Sequence, residues 1–191
     1  MLLGAGLAAG AGAEEPARLA LTLSAEGRHE GAAVEFRRLA LGAEAPETSG
    51  SWHWWAAREY AQAGRIELSN RMLDRAEDAA PFALSAPVSW LRAENALAEG
   101  DGTASAFHFE SLGLGAADED WREFSARGAA AARLRERDVS GARRALSTVP
   151  GGVPAARAAM ERYEGRRDKK PWVGGVLGLV PGLGYVYSGE Y

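Results

Sequence analysis

Cysteine is absent from the 191 residues, which excludes disulfides, thiolate metal centres and cysteine nucleophiles. Histidine is scarce too. His29, His53 and His108 stand far apart with no i, i+4 partner, so no metal site is expected and the three read as partly exposed helix residues. No excess of one charge is present: the formal net charge is -4, and nothing in its distribution points to nucleic acid. Neither a Gly-Lys-Ser/Thr phosphate loop nor a nucleophile elbow occurs. Gly182-Leu183-Gly184 lacks the preceding strand and following helix that a nucleotide loop needs. The acidic run Asp118-Glu119-Asp120 precedes Trp121 and Phe124, where it complements a helix N-terminus better than it forms a catalytic carboxylate pair. No catalytic residue and no cofactor is therefore expected, and the chain reads as a protein that is not an enzyme.

What the chain does contain is recurrence. Gly27, Gly64, Gly100 and Arg137 are spaced by 37, 36 and 37 residues. A small residue follows each at five positions, an apolar residue four later, and an apolar or small residue three later. The quartets are Gly27-Ala32-Phe36-Leu39, Gly64-Ser69-Leu73-Ala76, Gly100-Ser105-Phe109-Leu112 and Arg137-Ala142-Leu146-Val149. Steps of four and three put the last three residues of each quartet on one helical face, and helix-forming sequence also precedes each break. Each unit is thus expected to be a helical hairpin, in an all-α chain without a sheet. Such units bury their apolar faces by stacking into a solenoid, an architecture that usually presents a binding surface.

At these positions the sequence resembles the tetratricopeptide repeat, whose 34-residue unit has small residues near positions 8 and 20 and a proline near 32. The unit starting at Gly50 matches best, with Ala57, Tyr60, Gly64, Ser69, Leu73, Ala76 and Pro81 at the motif positions. Units starting at Ala13, Ala86 and Glu123 place Ala20, Ala93 and Ala130 at position 8. The last unit has Arg133 where an aromatic is usual, and the period is slightly long. The resemblance implies a right-handed α-solenoid of about four hairpins over residues 14–150. It also implies a concave groove lined by the first helix of each unit: Ser51, Trp54, Arg58 and Gln62, then Trp90 and Glu94, then Phe124, Arg127 and Arg135. Trp54 and Trp90 fall at the same repeat position beside charged neighbours, the aromatic and arginine mix found at interface hot spots. The alternative for these tryptophans is packing between Ala-rich helices.

The ends differ in character. Residues 1–13 are uncharged and apolar and close on Ala11-Gly12-Ala13, which reads as a signal-peptide segment without its basic n-region, so export to the cell envelope is expected. After Pro150-Gly151-Gly152, residues 151–170 read as a capping helix and a basic linker ending in Lys169 and Lys170. Residues 171–189 carry no charge. There, Pro181-Gly182-Leu183-Gly184-Tyr185-Val186-Tyr187-Ser188-Gly189 resembles a segment of the small TM2-like membrane domains of bacteria. Gly174, Gly178 and Gly182 follow small-xxx-small spacing, which allows close helix contact in lipid, and Trp172, Tyr185 and Tyr187 suit the headgroup region. The run from Trp172 to Val180 would be only about 14 Å long as a helix, short of a bilayer core, so it is expected to dip into or lie at the interface. The segment is read as the start of a membrane-associated part.

These features together describe a non-catalytic scaffold of the bacterial envelope that binds a protein or peptide through its repeats and membrane lipid through its C-terminal segment. The runner-up is the repeat-bearing part of a multi-pass membrane assembly or transport component.

Overall fold

A computed structural model describes residues 14–115, 119–149, 158, 161 and 162. The described residues form eight α-helices and no strand: α1 (Glu14–Ala25), α2 (His29–Gly42), α3 (Pro46–Gln62), α4 (Ile66–Ala79), α5 (Ser85–Glu99), α6 (Gly102–Gly115), α7 (Glu119–Arg135) and α8 (Val139–Ser147). Chain neighbours pack on one another: α1 on α2, α2 on α3 and α3 on α4, and likewise α6 on α7 and α7 on α8. The chain divides into two compact units, Met1–Leu91 and Arg92–Tyr191, with the division inside α5.

The four break residues adopt one conformation. Gly27, Gly64 and Gly100 have φ of 72°, 71° and 90°, and Arg137 has φ 62°. In each turn the next residue's N–H reaches five residues back: Arg28 to the Leu23 carbonyl at 2.9 Å, Arg65 to Tyr60 at 2.8 Å, Asp101 to Ala96 at 2.8 Å and Asp138 to Arg133 at 2.9 Å. The break residue's own N–H reaches three back, from Gly27 to Ser24, Gly64 to Ala61, Gly100 to Leu97 and Arg137 to Leu134. This double bond is the Schellman stop, which satisfies the last carbonyls of a helix and needs a left-handed residue. Glycine takes that conformation freely, whereas Arg137 holds it at a cost of about 1–2 kcal/mol.

The following helix then starts at once. Asp101 and Asp138 each accept a bond from the N–H three residues on, Ala104 and Gly141, both at 2.8 Å, which caps α6 and α8. Arg28 and Arg65, at the same repeat position, cap nothing with their side chains. The bonds from Gly141 and then Ser140 also hold the Asp138 carboxyl below the usual carboxylate range.

Small residues recur at the same buried places of the four units. Ala20, Ala57, Ala93 and Ala130 are buried in the first helix of each pair, and Ala32, Ser69, Ser105 and Ala142 in the second. The large apolar residue four positions on, Phe36, Leu73, Phe109 or Leu146, is buried as well. Arg133 departs from the pattern. It stays half-buried, and its guanidinium pairs with Glu110 of α6 at 3.0 Å instead of filling the core.

The signal-peptide segment 1–13 and the C-terminal segment 171–191, with Trp172, Gly174, Gly178, Gly182, Tyr185 and Tyr187, lie outside the described residues. So does the proposed capping helix, apart from Ala158, Glu161 and Arg162, which are helical. Among the described residues no helix is long and apolar enough to cross a membrane.

Candidate partner-binding surface

An aromatic chain runs through the first unit. Phe36 of α2 stacks on Trp52 and on Trp55 of α3, with ring centroids 5.8 Å apart in both pairs. Trp55 meets Trp54 edge-on at 5.2 Å, and Trp54 lies 6.3 Å from Trp90 of α5. Offset and edge-to-face contacts of this kind add about 0.5–1.5 kcal/mol per pair beyond the area they bury. The chain ends at the surface in two places. Trp90 is half-buried, and over the half-buried Trp55 the Arg58 guanidinium carbon sits 5.1 Å from the ring centroid. That distance is within cation–π range.

Trp54 itself is 5% exposed, and its indole N–H has no hydrogen-bond partner among the described residues. What faces outward is therefore Trp55, Arg58 and Trp90, with Trp54 beneath them. Among the described residues Arg58 has no ion-pair partner, which leaves its donors available. Ser51, one turn earlier, is half-buried and donates to the Glu47 carbonyl at 2.8 Å. Gln62 is exposed at the end of α3. Glu94 is half-buried in the part of α5 that belongs to the second unit.

The second unit holds the remaining expected residues, on α7. Phe124 is half-buried, with Phe109 edge-on at 6.0 Å and Trp121 at 5.7 Å. Arg127 is paired with Glu123, one turn before it on the same helix. Arg135, also on α7, is exposed. Its Nη1 donates to the Leu97 carbonyl at 2.7 Å, where it satisfies the end of α5. Its neighbour Glu136 accepts from the Gly102 N–H at 2.9 Å at the start of α6, so one turn is held from both sides by the next hairpin.

The first unit has a matching device that sequence reasoning missed. Glu59 of α3, 2% exposed, accepts from Ser24 Oγ at 2.9 Å and is bonded to His29 Nδ1 at 2.8 Å. It thereby joins the α1–α2 turn to the next hairpin, and Arg65 to Glu30 at 2.5 Å adds an outer tie. Trp55, which links Arg58 to the aromatic chain, was also missed, since its repeat position does not line the expected groove. His53, expected to be partly exposed, is 7% exposed.

Among the described residues no group of three His, Asp or Glu could hold a metal ion. No family model, no curated protein and no solved structure matches this chain. The functional reading accordingly rests on its own residues.

Proposed function

We propose that this chain is a tetratricopeptide-like scaffold of the bacterial cell envelope, a right-handed solenoid that holds a protein or peptide partner without catalysis. The observation that carries the reading is the fourfold repetition of one hairpin design: the same left-handed stop, the same buried small residues and the same 36 to 37 residue period. Repeats of this kind serve mainly as binding surfaces. Support for the first helices as the binding side comes from Trp55, Arg58 and Trp90: the two half-buried indoles each contact the buried Trp54, and over Trp55 lies a guanidinium outside any described ion pair. Aromatic and arginine side chains of this type supply most interface hot spots. The uncharged segment beyond Pro171 attaches the scaffold to lipid in this reading.

A photo-crosslinking amino acid tests it. Placed at position 58 or 90 in cells of the source organism, it should capture one defined protein, and the same group at Arg71, on the exposed charged face of α4, should not. Equal capture at all three positions, or none, would count against a partner on this face.

A further inference from the structure

The row of rings in the first unit ends on an uncompensated charge. The Arg58 guanidinium carbon lies 5.1 Å from the centroid of the Trp55 ring, Trp55 meets Trp54 at 5.2 Å, and Trp54 lies 6.3 Å from Trp90. Trp55, Arg58 and Trp90 are half-buried, so each keeps some surface for a ligand. About five residues of extended chain, at roughly 3.3 Å each, reach from one end of this row to the other. Because the guanidinium sits over Trp55, a partner that covers both outer indoles covers Arg58 as well.

Among the described residues no carboxylate is paired with that guanidinium. One turn away on α3, at the positions that share its face, stand Trp54, Trp55, Ala61 and Gln62. Glu59, next in sequence, is 2% exposed and engaged with Ser24 and His29. On the helices packed against α3, Glu35 is paired with Arg38 and Glu67 with Arg71, and Asp74 and Glu77 have partners of their own. Asp78 is on the last turn of α4, and counting out from the turn at Gly64 puts it about two helical turns beyond the level of Arg58. Residues 85–91, the stretch of α5 that carries Trp90, hold no charge.

Covering a charge without a counter-charge is strongly unfavourable, whereas a guanidinium and a carboxylate held by two parallel bonds satisfy each other. A partner on this face must therefore bring the missing anion. We propose that the surface of Trp55, Arg58 and Trp90 recognises an acidic peptide segment, in which an Asp or Glu side chain meets Arg58 and a nearby apolar side chain packs on Trp90; this specificity rests on the reading of the face as the partner-binding side. The indoles offer contact area to many sequences. The arginine selects among them, since a neutral or basic segment would leave a covered charge unpaired.

Dodecapeptides selected on the immobilised full chain from a random phage library should carry Asp or Glu at one position and an apolar residue a few positions from it. Selection on Arg58→Glu should place Lys or Arg at the acidic position, and selection on Trp90→Ala should keep the acid and lose the apolar residue. A synthetic peptide from the parent selection, followed by tryptophan fluorescence, should bind Arg58→Gln about thirtyfold more weakly, the lower end of the effect of removing one member of a covered charge pair. Replacing the peptide's acid by its amide should weaken binding to the parent chain by a similar factor, a comparison that needs no altered protein. Selected peptides that Trp90→Ala weakens but that carry no acid, or an acid that persists on Arg58→Glu, would overturn the proposal and leave the binding face standing. Failure to select any peptide, or affinities unchanged in both Arg58→Gln and Trp90→Ala, would overturn the reading of the face and the proposal with it.

Discussion

A methyl group added at Gly128 has no free space: it would lie 2.5 Å from Cδ1 and Cε1 of Phe109. That ring cannot swing aside, because it is 1% exposed and packs edge-on against Phe124. Gly128→Ala should therefore destabilise the protein. Overpacking costs about 1–3 kcal/mol, which outweighs the roughly 0.8–1 kcal/mol that alanine gains over glycine in a helix interior. Gly42, at the end of α2 with nothing within 4 Å of its added Cβ, is the control, and Gly42→Ala should leave the melting temperature equal or higher. If both substitutions raise the melting temperature, the close approach of α6 and α7 is wrong. At this scale the sequence was legible only where a residue repeats. Ala57 and Ala93 could be assigned to helix contacts because their counterparts recur at one repeat position. Gly128 and His53 recur nowhere, and their surroundings come from other helices that the local sequence does not specify.

The helical hairpin was the most legible element, because a stop signal, a small residue and an apolar residue all lie within about a dozen residues of one another. Arg137 shows how strong the register is: although it is not a glycine, the pattern placed a helix break at it, and there it takes the same left-handed conformation as the three glycines. The ties from one hairpin to the next were not legible. Glu59 reaches Ser24 and His29, 35 and 30 residues away, and a helical position such as this reads as one more solvated charge. Burial changes that reading, since a carboxylate at 2% exposure needs its partners and its partners need it. Glu59→Ala should cost about 1–3 kcal/mol, because it strands two polar groups at the α1–α2 turn. Glu59→Gln keeps an acceptor for Ser24 and should cost less. Hydrogen exchange localises the effect: the Arg28 amide, bonded to the Leu23 carbonyl, should lose protection first in Glu59→Ala. Protection there equal to that of the parent chain would show that the turn stands without Glu59.

For the whole molecule, the sequence led to an all-helical chain, and the described residues are all-helical, because an Ala- and Leu-rich composition and the 3.6-residue period act along the entire repeat region. The division into two compact units inside α5 was not legible, since it depends on long-range packing rather than on any break in composition. Whether the chain meets lipid is a question for the sequence beyond the repeats, and it can be tested on the full chain. Residues 171–189 carry no charge, and Arg166, Arg167, Lys169 and Lys170 precede them, a layout that suits an apolar segment beside anionic headgroups. Each buried methylene contributes about 0.8 kcal/mol, so a few Val and Leu side chains together exceed the cost of ordering a short segment. A charged residue placed at depth reverses the balance by about 2.5–3.5 kcal/mol. The parent protein should float with phosphatidylglycerol vesicles in a density gradient, and Val176→Arg with Leu179→Arg should leave most of it at the bottom. The substituted segment then carries more positive charge towards anionic lipid, so electrostatic attraction alone predicts stronger flotation, and the two explanations give opposite results. Flotation unchanged or increased in the variant would mean that the apolar surface of this segment does not hold the protein to the membrane.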